Sequence, residues 1–370
     1  MMRSAGIVAT ATAVVLVTVT SCSGCRPVDP TTVSHGPVVE ATAQGHTFLQ
    51  TYVAADGRVR RIDEGDDTVS EAQAYGLLIS VAVDDQERFD AIWRWTRANL
   101  KRPDGLLAWR WQDGEVVDRE PAADADVLAA YALTVASQRF ERPDLAREAG
   151  VLASAVLKHE TITTSTGPVL LSPWAKRRGI VNPSYLAPVV FDGLAEATGE
   201  PRWTAAAATA RHLLATLIAA PTGLVADWAR LRRDGPTLTA APSPAGQQAQ
   251  IGLEAWRAPV FLAADCHNHG RQLAALGWPF LRDQDRLTAV YHLDGQPAVT
   301  WSHPVALVGA AAAAHAAGDH AASRRLLTAA RHLDREHPTY YGSAWLAIGS
   351  LLLETDRLGG CATDNAPPSD

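Results

Sequence analysis

The sequence predicts an all-α protein: a closed ring of helix pairs, that is, a toroid of helix hairpins, interrupted by short β-hairpin inserts. Three observations carry this. Apolar residues recur at helical spacing from about Val39 into the 350s, the connecting loops carry Gly, Pro or Asp, and no fixed short repeat is present. Helices succeeding one another at hairpin spacing over so long a stretch suit a ring better than a simple bundle. With 370 residues, 47% hydrophobic and 20% charged, the chain can bury one large core.

Taken in order, helices are expected at Glu71–Val83, Gln86–Asn99, Asp124–Gln138, Pro143–His159, Ser184–Thr198, Arg202–Ala219, Gln247–Ala264, Gly270–Phe280, Pro304–Ala317, His320–Leu333 and Gly342–Leu353. The Ala-rich run from Val308 to Ala317 is a strong helix former whose small side chains allow close packing. Leu106–Val117 and Val225–Thr239 each alternate apolar and polar residues around a Gly, the pattern of a hairpin.

The ends of the chain read differently. Arg3 and the uncharged run Ile7–Val19 have the build of an export signal, too short for a membrane span. Val19-Thr20-Ser21-Cys22 resembles a bacterial lipobox, which implies a signal peptide over 1–21, lipidation of Cys22 and a membrane tether; plain secretion with cleavage near Ser23 is the alternative. Residues 22–38, rich in Pro, Thr and Ser, read as a flexible tether, 39–358 as the folded domain and 359–370 as a disordered tail. Cys266 and Cys361 are left for the folded part, where an oxidising compartment permits a disulfide; neither has companion ligands for a metal.

A net charge of −7 and a pI near 5.9 argue against a nucleic-acid partner. Only Lys101, Lys158 and Lys176 are lysines, and no basic cluster stands out. Trp is over-represented, 11 against 7 Tyr and 6 Phe. Trp109, Trp111 and Trp228, in loops or inserts, are expected to wall a cleft, and Trp93 and Trp95, within a helix, to lie in the core.

Several blocks then point to one family. Ser70-Glu-Ala-Gln-Ala-Tyr-Gly-Leu-Leu78, Phe89–Leu100, Asp104–Trp111 and the helix Ala122-Ala-Asp-Ala-Asp-Val-Leu128 onward resemble glycoside hydrolase family 8, the family of bacterial cellulases and endo-β-1,4-glucanases. Asn182-Pro-Ser-Tyr-Leu-Ala-Pro188, Asp227-Trp228, Leu253–Pro259 and Thr339-Tyr-Tyr341 match further blocks in the same order, so the resemblance covers about residues 39–356. It implies an (α/α)6 barrel, hydrolysis of β-1,4-linked polysaccharide or oligosaccharide with inversion, no cofactor, and a monomer. The departures are Ala72 and Ala74 at glycine positions, Ala123, Ala129 and Thr134 in the signature helix, and Glu254 where the family carries Asp.

Inversion needs a protonated carboxyl on the leaving oxygen and an ionised one activating water across the ring. The resemblance implies Glu71 as the acid, Asp124 beside the distorted sugar and Glu254 as the base. Glu71 also fits a capping box, Ser70-Glu71-Ala72-Gln73, at a helix start whose dipole lowers a carboxyl pKa, so burial or a nearby carboxylate must oppose the dipole. Asp126, two residues from Asp124, points elsewhere: to substrate, or merely to the helix start. Arg257 is expected one helical turn from Glu254, pairing with it or touching substrate. Tyr75, Tyr185 and Tyr341 complete the expected substrate contacts, the last two with an edge-of-core alternative. A carbohydrate-binding relative that has lost turnover is the main alternative; a polysaccharide lyase would want a basic cleft.

Overall fold

Two kinds of helix alternate along the chain, and their composition decides which layer each joins. The computed structural model describes residues 36–218, 221–232 and 235–359. The helices are α1 (Pro37–Tyr52), α2 (Ser70–Ala82), α3 (Gln86–Asn99), α4 (Ala123–Arg139), α5 (Pro143–His159), the single turn α6 (Pro173–Lys176), α7 (Pro188–Thr198), α8 (Pro201–Leu217), α9 (Arg257–Ala263), α10 (Asn268–Ala275), α11 (Trp278–Arg282), α12 (Pro304–Ala316), α13 (His320–Glu336) and α14 (Tyr340–Glu354). Helices α2, α4, α12 and α14 are buried on nearly every side, as all-round apolar helices must be. Between them run striped helices such as α5, which buries Leu145, Ala149, Leu152, Ala153 and Val156 and leaves its other face polar.

The neighbours show a closed ring. Helix α2 packs on α4, α4 on α7, α7 on α9, α9 on α12, α12 on α14, and α14 back on α2. Outside them α3 covers α2, α5 covers α4, α8 covers α7, α10 covers α9, α13 covers α12 and α1 covers α14. Each outer helix returns the chain, so the inner helices run in one direction and open their N-termini at the same mouth. The β-structure lies in the connections: β1 (Thr68–Val69), β2 (Arg110–Gln112) and β3 (Glu115–Asp118) form one antiparallel sheet, β4 (Thr161–Thr164) and β5 (Gly167–Leu170) a hairpin, and β6 (Ile180–Val181), β7 (Ala229–Arg232) and β8 (Thr237–Ala240) a second three-stranded sheet.

Both expected hairpin inserts are present, and two expected helices match to the residue, 86–99 and 143–159. The long helix expected over 247–264 is reduced to α9, because 247–252 run irregularly, with Ile251 bridged to Tyr291, and 253–256 form a turn held by a buried carboxylate. Pro188 splits the segment 184–198 into a 3-10 turn (Pro183–Tyr185) and α7, since a proline cannot donate the bond that would continue the first turn. Gly277 and Pro279 likewise divide 270–280. Helix α1, the turn α6 and the β4–β5 hairpin lie outside the sequence expectations. The first begins at Pro37, within the stretch assigned to the tether. Cys266 is disulfide-bonded. The leader, Cys22, the other cysteines and all but the first residue of the tail lie outside the described residues. Among those described, no helix is long and apolar enough to cross a membrane.

The inner ring leaves little slack. A Cβ on Gly309 of α12 would lie 2.7 Å from the carbonyl oxygen of Trp256 and 3.0 Å from its ring. Gly309→Ala is therefore expected to lose about 1–3 kcal/mol of stability to overpacking, even though Ala is favoured in a helix by about 1 kcal/mol. Urea unfolding measures this; an unchanged midpoint would show that the contact yields freely.

Candidate active site

The ring's common mouth brings together side chains from the start of one inner helix after another. Glu71 stands in the first turn of α2, Asp124 in that of α4, Tyr185 just before α7, Arg257 at the first position of α9 and Tyr341 in the first turn of α14. The Arg257 guanidinium, 2% exposed, occupies the centre. Its Nη1 donates to Glu71 Oε2 (3.2 Å), Asp124 Oδ2 (3.2 Å) and the Tyr75 hydroxyl (3.0 Å), and its Nη2 donates to Glu254 Oε2. Tyr185 lies under the same group, its ring centroid 5.4 Å from Cζ. One cation thus serves three carboxyls.

That ratio bears on the protonation. Three ionised carboxylates around one guanidinium would crowd negative charge into a partly desolvated mouth, with Asp124 buried and Glu71 and Glu254 half-buried, which disfavours ionising all three. Glu71 is held well above the usual carboxyl range, by burial first and by the Asp124 charge second, with a hydrogen bond to Asp124 acting in the same direction. These overcome the helix N-terminus, which acts the other way. Glu254 is also raised, by burial, with Arg257 opposing the shift.

Glu254 sits in a turn rather than on a helix, and Asp227 holds that turn. Asp227 Oδ1 accepts from the backbone N–H of Gly252 and of Ala255, both at 2.9 Å, and Oδ2 accepts from Gln250 at 3.2 Å. A Cβ at residue 252 would fall 2.5 Å from the Asp227 carboxylate, so Gly252 is what permits the approach. Asn182 donates to Glu254 Oε2 at 2.7 Å. Both bonds to Glu254 therefore fall on Oε2, and Oε1 accepts none among the described residues.

Three expected substrate contacts turn out otherwise. Tyr75 is fully buried; its hydroxyl accepts from Arg257 and from Trp345 Nε1 (3.2 Å), so it supports the guanidinium from below. Asp126 is also fully buried and neither lines the cleft nor caps α4: its Oδ1 accepts from the backbone N–H of Leu107 at 2.9 Å, tying α4 to the loop that carries Trp109. Arg257 meets carboxylates, the expected partner Glu254 among them, rather than open cleft. The capping box is not formed either. Gln73 is drawn instead to Val59 N–H and Thr96, because the buried loop at 57–59 needs its amide, and Ser70 Oγ is left without a partner.

The indoles divide as their settings dictate. Trp93 and Trp95 are buried, while Trp109 is exposed beside the start of α2, its carbonyl accepting from Ser70 N–H. Trp111 rests edge-on against Trp95 with Arg58 over its ring. Trp228 pairs with the exposed Trp174, ring centroids 6.1 Å apart. Trp301, also exposed, leads through His303 to Tyr341, whose hydroxyl donates to the Leu253 carbonyl at 3.2 Å. Asn182, Asp227, Trp174, Trp301 and Trp345 were not among the expected site residues, though the first two stood in blocks already singled out. No group of residues able to hold a metal occurs among the described residues.

A ring of helix pairs that gathers three carboxyls about one buried cation, with indoles exposed on the neighbouring connections, is the equipment of a glycoside hydrolase. The model of glycosyl hydrolases family 8 matches residues 38–354, and the chain belongs to that family. It is 31% identical over 236 residues to a probable endoglucanase of Novacetimonas hansenii, covering 61% of this chain and 68% of the relative. It is 26% identical over 225 residues to an endoglucanase of Cellulomonas uda, covering 58% and 61%. Among solved structures it is similar to the endo-β-1,4-glucanase CMCax from Acetobacter xylinum (TM-score 0.73, 24% identity, 86% of this chain and 99% of that one). It is also similar to a β-1,3-1,4-glucanase from Paenibacillus sp. X4 (TM-score 0.76, 17% identity, 86% and 92%). The fold is accordingly the (α/α)6 barrel.

If Asp124 helps to keep the proton on Glu71, Asp124→Asn removes a charge and lowers the Glu71 pKa. Carbon-13 NMR titration of the Glu71 carboxyl is expected to show a midpoint above the usual glutamate range in the wild type and a lower one in the variant. An unmoved midpoint would assign the whole shift to burial.

Proposed function

We propose that the protein cleaves β-1,4-linked glycans internally with inversion, as an exported, surface-anchored monomer. The observation that carries the chemistry is the gathering of Glu71, Asp124 and Glu254 on one guanidinium; the relatives named endoglucanases support the substrate class. Glu71, held toward its protonated form, is the general acid. Glu254, paired with Arg257 and Asn182 through one oxygen, uses the other to take a proton from water. The two bond different nitrogens of Arg257, and an inverting pair needs roughly 6.5–9.5 Å between its carboxyls to admit water. Asp124, on the same nitrogen as Glu71, supports the Glu71 proton and the sugar at the cleavage point.

Glu71→Gln keeps the shape of the acid without its proton, and turnover of unactivated glycans is expected to fall by roughly 10²–10⁴. NMR of the first product should show the α-anomer from a β-linked chain; a β-anomer removes the inverting mechanism. Glu254→Gln should abolish turnover, whereas Glu254→Asp should retain it. The second reading, a carbohydrate-binding relative without turnover, is favoured by one feature: Glu254 carries one more methylene than the family's Asp, and a 1 Å misplacement can cost about 10²-fold. That reading wins if the wild type is inert and Glu254→Asp is active. A panel of cellulose derivatives, xylan, mixed-linkage glucan and chitosan identifies the sugar.

The anchoring rests on Val19-Thr20-Ser21-Cys22 after the apolar run. One acyl chain binds a membrane only marginally, so a stable tether needs several on Cys22. Cys22→Ala is expected to move the protein from the membrane fraction to the soluble one. Wild-type protein found wholly soluble, with an unmodified N-terminus beyond Cys22, would establish plain secretion instead.

A further inference from the structure

Beside the cleft the chain builds a basic patch that the carboxyl site does not use. Lys176 ends the turn α6 that carries Trp174, Arg177 and Arg178 follow it, and the β6–β7 pairing sets Ile180 opposite Arg230, bringing Arg230 and Arg232 alongside them. Arg230 Nη1 donates to the Arg178 carbonyl at 3.0 Å, and Leu231 N–H to the Gly179 carbonyl at 2.8 Å, which fixes the two segments together. Between them opens a hollow of about 700 Å³ lined by Ile162, Lys176, Arg177, Arg178, Gly179 and Leu231. Sequence reading missed this cluster because half of it arrives some fifty residues later, through strand pairing.

Arg177, Arg178, Arg230 and Arg232 are exposed, and none of them pairs with a carboxylate among the described residues. Elsewhere arginines are routinely paired, as Arg60 with Asp66, Arg102 with Asp104 and Arg142 with Asp144. Lys176 has charged neighbours of its own, the buried Glu160 among them, so the exposed arginines carry the patch's positive charge.

The patch adjoins the indole pair. Trp228 stands in the bend that leads into β7, two residues before Arg230, and its ring partner Trp174 lies in α6, three residues before Arg177. Arg178 is four residues from Asn182, hence at most about 14 Å from the residue that holds Glu254. A polysaccharide seated on Trp174 and Trp228 would run onto the arginines. Planar guanidinium forks match carboxylates in two-point hydrogen bonding.

Resting on the glycan reading above, we infer that this patch is a subsite for acidic groups on the substrate, so that the preferred polymer is a β-1,4-linked glycan bearing carboxylate substituents or uronic residues. The test compares carboxymethyl with hydroxyethyl β-1,4-glucan, using wild type and the triple variant Arg177→Ser, Arg178→Ser, Arg230→Ser. The ratio of KM on the carboxymethyl polymer to KM on the hydroxyethyl polymer should rise about tenfold in the variant. The wild-type KM on the carboxymethyl polymer should rise with salt, and that dependence should flatten in the variant. An unchanged ratio overturns the proposal. So does reduced binding of the variant to phosphatidylglycerol vesicles with KM values unaltered, which would assign the patch to an anionic membrane. Retardation of the Glu71→Gln protein in gels containing each polymer separates this proposal from the hydrolase reading. Stronger retardation by the carboxymethyl polymer, lost on adding the arginine changes, supports the subsite even if the wild type cleaves neither polymer, and equal retardation by both overturns it.

Discussion

A single buried guanidinium among three carboxyls is the constraint around which the rest of this protein is arranged. Arg257 cannot be solvated, so its charge must be met within the fold, and three acidic side chains meet it with more negative charge than it can balance. Burial and the Asp124 charge raise the pKa of Glu71, while Glu254 is tied to the cation, so like carboxyls are set apart by environment alone. Tyr75 and Trp345 brace the guanidinium from beneath, Tyr185 covers its face, and Asn182 and Asp227 fix the turn that carries Glu254.

The ring explains why such a cluster forms at all. With each inner helix followed by an outer one that reverses direction, every inner helix presents its N-terminus at the same mouth. Residues far apart in sequence, from Glu71 to Tyr341, then need only stand at a helix start to become neighbours. The exposed N–H groups of those first turns also favour negative charge, which makes the raised pKa of Glu71 the more informative: burial and Asp124 outweigh a field that would ionise it. The same connections that leave the mouth carry the indoles and, beyond Trp174 and Trp228, the arginine patch.

The departures from the family pattern bear on this site unequally. Ala72 and Ala74 are fully buried within α2, where they serve the packing of the ring. Glu254 is different: its extra methylene lies in the cluster around Arg257, on a turn whose shape depends on Gly252 and Asp227.

Much of the fold was legible in the sequence because helix periodicity is local. Helices 86–99 and 143–159 need only their own apolar spacing and end signals. Glu71, Asp124, Glu254 and Arg257 were nameable from blocks that sit at helix starts. What tertiary structure alone decided is which of those residues share a partner and which are used up inside. Asp126 and Tyr75 look like cleft residues in one dimension and are buried supports in three, since only packing shows whose N–H or guanidinium they face. Gln247–Trp256 reads as helix by its spacing but runs irregularly, through a bridge at Ile251, into a turn at 253–256 that Asp227 fixes from some twenty residues away. The arginine patch needs a strand pairing to exist. Local pattern determines the elements; the charge balance at Arg257 is a sum over distant parts of the chain, and only the closed ring brings them into one place.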